Sequence, residues 1–490
     1  MQTNLSRSPR ESGQKIILMK FGGTSMGTPK AMAQAVDIVR QAQLDRTHVI
    51  VVVSALATVT NLLLDSAAHA THGDIIPAQQ GKDRLRELHA VIADSLVQDS
   101  DSQAQVKYEI DQLITSFANL CQAIAVLGES TPRALDAVAA LGERMSVRLM
   151  AAALTSASVP ARVVEATQLI VTDDRFQNAY PDIAATTRQT RAVLPPILAQ
   201  DIVPVVTGFI AATPDGITTT LGRGGSDYTA GILGAVLPAD EVWIWTDVDG
   251  VMSADPRLVP DACTLPEITY REIAELAYYG AKVLHPKTIR PLVDGGIGLR
   301  ICNTFNPQHP GTRLVPDDPA KNGKRSDRTE IIKAVTAIRD QRLITVEGRG
   351  MLGVPGVAAR TFAAVASTGT SVPLITQASS EQSICFAVPA ESAEKVLAAL
   401  QYAFAVELAD GDIDRVWATP GVAIITVVGV GMIHTPGVAG RIFSALGGSG
   451  VNVIAIAQGS SEVSISLVVA SGDVETAVQV LHRLILNGRT

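Results

Sequence analysis

The chain has 490 residues, of which 47% are hydrophobic, and a net charge of −8. This length predicts two to four domains with sizeable cores and excludes global disorder. The negative balance argues against a nucleic-acid binder, which carries a basic face.

The four cysteines, Cys121, Cys263, Cys302 and Cys385, form no CxxC pair. Neither a zinc site nor a disulfide framework is expected, and a reducing cytoplasm fits. Residues 1–14 are polar, lack the apolar segment of a secretory signal and read as a disordered tail. Apolar runs such as Val49–Ala57 are too short to span a membrane.

Residues 16–21 (IILMKF) predict a buried strand ended by Gly22-Gly23. A helical pattern opened by Pro29 follows over 29–42, then an unbroken apolar strand over 49–54. Continuous apolar strands alternating with helices predict a parallel α/β sheet. Residues 75–127 read as mainly helical, and further strands are expected over 161–165, 202–207 and 242–246. The stretch HPGTRLVPDDPAKNGKRSDRTE is rich in Pro, Gly and charge. It predicts a first domain over 15–315, a linker over 316–330 and a second region over 331–490.

Within that second region, 343–388 and 424–469 form an ungapped repeat, offset by 437 − 356 = 81 residues at Gly356 and Gly437. Each copy reads strand, glycine loop, helix, strand, turn, strand, helix. Two copies are too few for a solenoid and predict two packed α+β modules. The second copy lacks a closing strand, whereas 331–338 is a strand without an assignment. The expectation is that 331–338 joins about 420–490 in one module, with the other, about 340–415, nested inside it.

The loop Gly348-Arg349-Gly350-Met351-Leu352-Gly353 fits GxGxxG. The second copy, however, has His434 in place of the third glycine, and no acidic residue ends a strand at the distance a dinucleotide site needs. A loop closely approached by a small ligand or another backbone is the expected reading.

No GxxxxGK[ST] is present, so a P-loop is excluded. Three segments instead suggest a phosphoryl-transfer site. In Lys20-Phe21-Gly22-Gly23-Thr24-Ser25 a lysine at a strand end precedes two glycines, which can set a cation and bare N–H groups beside a polyphosphate; the alternative is a simple turn. In LGRGGSDYTA, Arg223 can hold a carboxylate bidentately and the glycines lead into a helix predicted over 228–236. There Asp227 either caps the helix or orients a lysine or metal–phosphate cluster. The third segment runs through Thr246, Asp247, Met252 and Arg257 to GAKVLHP at 280–286. It suits ribose and phosphate contacts, or is a surface turn with solvated basic residues and a structural His285.

KFGGTS, LGRGGSDYTA, WTDVDG…DPR and GAKVLHP, in this order and spacing, resemble the aspartate kinases of the amino-acid kinase superfamily, from Lys20 to about Val469. The resemblance implies a carbamate-kinase-like three-layer αβα catalytic domain followed by two ferredoxin-like ACT modules. It implies ATP-dependent phosphorylation of the β-carboxylate of L-aspartate, with Mg²⁺ riding on the phosphates and no protein ligand to it assigned.

Residue by residue, the resemblance implies that Lys20 stabilises the transferring phosphoryl group beside Gly22 and Gly23. It assigns Glu143 to the substrate ammonium, Arg223 with Ser226 to the α-carboxylate, and Ser54 and Thr60 to a loop near aspartate. Asp227 organises the active-site lysine. Lys20, Phe21, Gly22, Gly23, Thr246, Asp247, Met252, Arg257, Lys282 and Val283 contact the nucleotide, Met252 standing where some relatives carry tyrosine.

Gln377 and Gln458, equivalent in the repeats and each preceding Ser-Ser-Glu, offer both donor and acceptor to an amino acid or to a neighbouring loop. LITQASSE and AIAQGSSE resemble the threonine-responsive aspartate kinases, where these glutamines contact threonine; lysine is the rival effector. The resemblance also implies a homodimer or higher oligomer through the ACT modules. The expectation is a single-function enzyme ending at Thr490, with no nucleic-acid or membrane partner. Another kinase of the superfamily and a catalytically inactive amino-acid sensor are the competing readings.

Overall fold

The computed structural model describes residues 15–45, 47–280, 284, 286–316, 331–351, 354–377 and 382–486. The expected tail, the expected linker from residue 317 onward, Lys282, Val283 and His285 lie outside them. The strands are β1 Ile16–Phe21, β2 His48–Val53, β3 Ala161–Val164, β4 Val203–Thr207, β5 Ile210–Ala212, β6 Thr218–Thr220, β7 Glu241–Thr246, β8 Glu267–Thr269, β9 Gly298–Asn303, β10 Thr312–Val315, β11 Ala334–Glu347, β12 Leu374–Gln377, β13 Ser383–Pro389, β14 Arg415–Ala418, β15 Val422–Val428, β16 Ala455–Ala457 and β17 Ser464–Ala470. The helices are α1 Gly23–Met26, α2 Pro29–Leu44, α3 Val59–Ala70, α4 Ile76–Leu96, α5 Ser100–Leu127, α6 Pro132–Ser156, α7 Ile183–Leu198, α8 Gly225–Val236, α9 Tyr270–Tyr278, α10 Pro286–Gly295, α11 Val357–Ser367, α12 Ala393–Ala403, α13 Ala405–Asp410, α14 Val438–Gly448 and α15 Val474–Leu486.

The chain forms two compact units. The first is built on an eight-stranded sheet in the order β3-β4-β2-β1-β7-β9-β10-β8. Its strands from β3 to β9 are parallel. The central strands β1, β2 and β4 are buried almost throughout because helices cover both faces. The odd positions of β1, Ile17, Met19 and Phe21, join the core formed with α2, α3 and α6. The even positions, Leu18 and Lys20, therefore share the opposite face, against which α8 packs.

Helix α5 is long and apolar enough to cross a membrane by length and composition alone, unlike the short runs seen in the sequence. Its stripe of Val106, Ile110, Ile114, Phe117, Cys121 and Ile124, spaced three or four apart, is instead buried in the core of this unit.

The second unit carries the repeats on a seven-stranded sheet. Strand β11 serves both. Its residues 334–338 pair with Ile424–Val428 of the second repeat, and 341–347 pair with 383–389 of the first. Between them the register shifts at Ile338/Gln341, beside Asp340 at φ 55°.

β14 pairs with Ile344–Glu347 of the first repeat. Since 415 − 334 = 81, the segments leading into the two repeats are themselves equivalent, and each is donated to the other repeat. The glycine loops follow the same rule. A Cβ on Gly348 would lie 2.4 Å from the Asp412 carbonyl oxygen, and one on Gly429 2.4 Å from that of Ile331. The first glycine of each loop thus marks close backbone approach in both copies, and the end of the first loop, Leu352-Gly353, lies outside the described residues.

Residues 252–265 and 271–280, expected in the first domain, belong to the second unit. The Ser253 carbonyl accepts from Val335 N–H at 2.8 Å, and its hydroxyl meets His482 Nε2 at 2.9 Å. On α9, Glu272 is fully buried; it pairs with Lys333 at 3.0 Å and accepts from Val430 N–H at 2.8 Å. A buried carboxylate demands such partners, and they come from the repeats rather than from the sheet of the first unit.

Because Gly348 has no room for a side chain, Gly348→Ala is expected to destabilise the second unit by about 1–3 kcal/mol. Urea unfolding of the wild type and variant checks this.

Candidate functional site

The site lies at the carboxyl ends of β1, β2 and β4, where open parallel sheets bind ligands. β1 ends in Lys20-Phe21 and enters α1 through Gly22-Gly23. Gly23 has little spare room, since a Cβ there would lie 3.1 Å from the Ala55 carbonyl oxygen. Lys20 is buried at 8% exposure and its Nζ lies 2.6 Å from Asp227 Oδ1.

Asp227 stands in the first turn of α8, which begins at Gly225, three residues earlier than expected. The residue preceding that helix is Gly224, at φ 72°. Asp227 therefore does not cap the helix: its carboxylate turns to Lys20. Ser226 is buried so tightly that a Cβ on Gly208 would lie 2.6 Å from its own Cβ.

Helix α6 braces the opposite wall. Ser146 Oγ donates to the Ser54 carbonyl at 2.7 Å, Ala55 N–H donates to Glu143 Oε1 at 3.2 Å, and Gly142 leaves room for Ala55. Glu143 is 3% exposed, and its second oxygen, Oε2, has no hydrogen-bond partner among the described residues. Burial pushes its carboxyl up to about 8; the Ala55 N–H and the Lys20 charge pull the other way without overcoming burial.

Between these walls opens a cavity of about 560 Å³, a size typical of small-ligand sites. It brings together Lys20, Gly23, Ser54, Thr60, Glu143, Arg223, Ser226 and Asp227, eight of the residues named from sequence. It also collects Asn61, Asp136, Gln177, Phe209 and Thr220, which sequence reasoning missed. Thr58, Gln177 and Phe209 line it at φ 72°, 69° and 67°. Such strain gathers at functional sites, but no sequence pattern marks it at non-glycine residues. Asp136 did carry a signal: it precedes Glu143 by seven residues, two helical turns, and so shares its face.

On the other side of β1 runs β7, with Phe21 opposite Trp245 and stacked on it at 6.1 Å. Gly22 N–H donates to the Trp245 carbonyl at 3.2 Å. Thr246 and Asp247 follow, outside the cavity but beside the glycine loop, with Asp247 exposed. Asp249 accepts from Asn303 and Asn306 at 2.9 and 3.0 Å, which fixes this turn. Met252 and Arg257 belong to the second unit, where Asp255 engages the Arg257 guanidinium at 2.7 Å. Among the described residues no group of three or more His, Cys, Asp or Glu side chains could hold a metal ion. In the second unit, Gln377 ends β12, Gln458 follows β16, and both are exposed.

Residues 15–303 match the amino acid kinase family, and 344–404 and 425–484 match the ACT domain. A bifunctional aspartokinase/homoserine dehydrogenase of Zea mays is 37% identical over 94% of this chain and 50% of its own length, so the chain spans about half of such relatives. Aspartokinase 1 of Arabidopsis thaliana is 32% identical over 95% of this chain and 79% of its own. The crystal structure of E. coli aspartokinase III in complex with aspartate and ADP superposes with a TM-score of 0.79 at 31% identity, covering 96% of this chain and all of that one. The same enzyme with lysine and aspartate gives a TM-score of 0.77 at 32% identity, over 96% of this chain and 99% of that one.

Glu143 imposes a pH dependence on the ligand-free protein. Its carboxyl ionises near 4.5 when unfolded but near 8 when folded. Its contribution is thus fully present below 4.5 and is lost as pH rises toward 8. Glu143→Gln is expected to remove a stability slope of roughly one proton across that window, measurable by thermal melts at stepped pH.

Proposed function

The chain belongs to the amino acid kinase family and, within it, to the aspartokinases, and from that premise we propose that it phosphorylates L-aspartate with ATP, giving 4-phospho-L-aspartate for the biosynthesis of lysine, threonine and methionine. The observation that carries this reading is the unpartnered Glu143 oxygen in a cavity that also presents an exposed Arg223. An α-amino acid supplies what both need: its ammonium completes Glu143, and its α-carboxylate engages Arg223. The β-carboxylate is left for Lys20. An acylated amine is neutral and supplies no positive charge to ionise the buried Glu143 carboxyl, so the pairing is lost, which disfavours the N-acetylated substrates of related kinases.

No base is required, because the attacking carboxylate is ionised near neutral pH. The protein's work is alignment and charge neutralisation. β1 supports both reactants, with the acceptor cavity on the β2 side and the nucleotide turn, Thr246 and Asp247, on the β7 side. Lys20, held by Asp227, and the N–H group of Gly23 meet the charge developing on the transferring phosphoryl group, while the Gly22 N–H, bonded to the Trp245 carbonyl, fixes the glycine turn to β7. No cluster of three or more potential protein ligands occurs among the described residues, so Mg²⁺ would be held chiefly by the nucleotide phosphates and would supply charge neutralisation there. That E. coli aspartokinase III was crystallised with aspartate and ADP supports this assignment.

The ACT repeats are proposed to bind an amino-acid effector through Gln377 and Gln458. Threonine is favoured by the resemblance of the surrounding segments; the lysine complex of E. coli aspartokinase III supports lysine as the rival. β12 and β16 are the terminal strands of their sheet and expose Ile375 and Ile456. Pairing with a second copy would cover these edges. The effector inhibits only if it binds active and inactive states unequally.

A hydroxamate assay with aspartate and ATP tests the activity; no aspartyl hydroxamate from the purified chain would sink it. Lys20→Ala is expected to lower kcat by about 10²–10³-fold with the fold intact by circular dichroism. Aspartate binding near pH 7 should release close to one proton from Glu143, visible as buffer-dependent heats in titration calorimetry. Threonine, lysine and their mixture are assayed in parallel, and Gln377→Ala should weaken inhibition by the true effector.

A further inference from the structure

Asp136 is the second buried carboxylate of α6 and differs from Glu143 in one respect: it is saturated. Gln177 N–H lies 3.1 and 3.0 Å from its two oxygens, Thr220 N–H donates to Oδ2 at 2.9 Å, and Thr220 Oγ1 donates to Oδ1 at 2.8 Å. With 1% exposure and every oxygen engaged by protein donors, it has no free oxygen to offer a substrate. Its two partners come from different segments, the turn at 177–178 and the end of β6.

Those segments carry the loop that ends in Arg223. β6 ends at Thr220, three residues before it. The turn at 177–178 forms the wall behind Gly222, where a Cβ would lie 2.9 Å from Asn178 Oδ1 and 3.0 Å from the Gln177 carbonyl oxygen. Gln177 sits at φ 69°, which strains a non-glycine backbone, so its turn needs support from outside; Gly222, at φ 76°, adopts that region freely, so its conformation is set by what holds the chain on either side. Ala179 N–H bonds the Thr220 carbonyl at 2.9 Å, and Lys287 Nζ binds Asn178 Oδ1. Arg223 itself is exposed and makes no ion pair among the described residues. Its aim therefore depends on where its backbone is held.

We propose that Asp136 is a positioning residue for substrate recognition: by tying the 177–178 turn to the end of β6, it fixes the Gly222–Arg223 backbone and so aims the guanidinium at the α-carboxylate of the substrate. This rests on the role given to Arg223 above. The chemistry requires a carboxylate. Asparagine would turn an NH₂ group toward donors that need acceptors, leaving buried N–H groups unsatisfied. Glu143 and Asp136, about 10 Å apart along one helix face, then divide the work: one meets the ammonium directly, the other acts on the carboxylate through Arg223.

The test is steady-state kinetics on the full chain with Asp136→Asn, Thr220→Val, Arg223→Ala and the double variant Asp136→Asn/Arg223→Ala. Asp136→Asn is expected to raise the aspartate KM about 10-fold or more, with the ATP KM within about twofold and kcat changed less than KM. Thr220→Val, which removes one hydroxyl bond and keeps the N–H bond, should shift the same parameter by less and guards against a folding defect. In the Arg223→Ala background, Asp136→Asn should add nothing, because the interaction it supports is gone. An unchanged aspartate KM, an equal rise in both KM values, or a penalty fully additive with Arg223→Ala would each overturn the proposal. Aspartate turnover by the wild-type chain tests the function itself, and the variants are read as ratios to it, so the two fail separately.

Discussion

A lysine ammonium buried at a strand end needs a counter-charge, and the pairing of Lys20 with Asp227 is the constraint around which the first unit is arranged. The pairing requires β1 to be central, its even face to look toward α8, and α8 to begin early enough to place Asp227 in its first turn. Each requirement traces to sequence: the even position of Lys20 in the otherwise apolar IILMKF, the apolar runs of the flanking strands, and the glycines at 222, 224 and 225 that let the chain turn into the helix. The positive end of α8 and the Lys20 charge then converge on one point.

Helix α6 supplies the complementary half. Its Glu143 is left with an unmet oxygen and a carboxyl raised by burial, a cost the fold bears until a cationic group arrives. Nearby Asp136 has all its partners and stays structural in its chemistry. Two carboxylates on one helix face thus take opposite roles because of the donors the fold brings to each.

Much of this was legible in the chain, and the illegible part has a physical explanation. Lys20, Arg223, Ser226 and Asp227 stand in short glycine-rich segments whose local chemistry announces them. Glu143 sits in an ordinary helical stretch, LGERMS, and only resemblance singled it out; its unmet oxygen is a tertiary fact. Gln177 and Phe209 were missed for a related reason, since they line the cavity through backbone angles that no pattern of residue types encodes; Asp136 could be read only from its spacing to Glu143, once Glu143 itself was singled out. The boundary near 316 came from composition, yet residues 252–265 and 271–280 join the other unit because Ser253 and Glu272 find their partners there. Composition marks where a chain is polar, not where a buried carboxylate finds its cation.

The reciprocal donation of strands between the repeats also sets an order of events during synthesis. As the chain leaves the ribosome, residues 334–347 emerge first, and the first repeat completes its hairpins while the edge of β11 still waits for 415–418. That edge closes only after another seventy or so residues have been made, and the companion half, 334–338, waits longer for 424–428. Neither repeat can be finished alone, nor can either be cut out or transplanted as a self-sufficient piece. The sequence carries two copies, but the exchange of leading strands makes them a single part, which shuffling can move only whole.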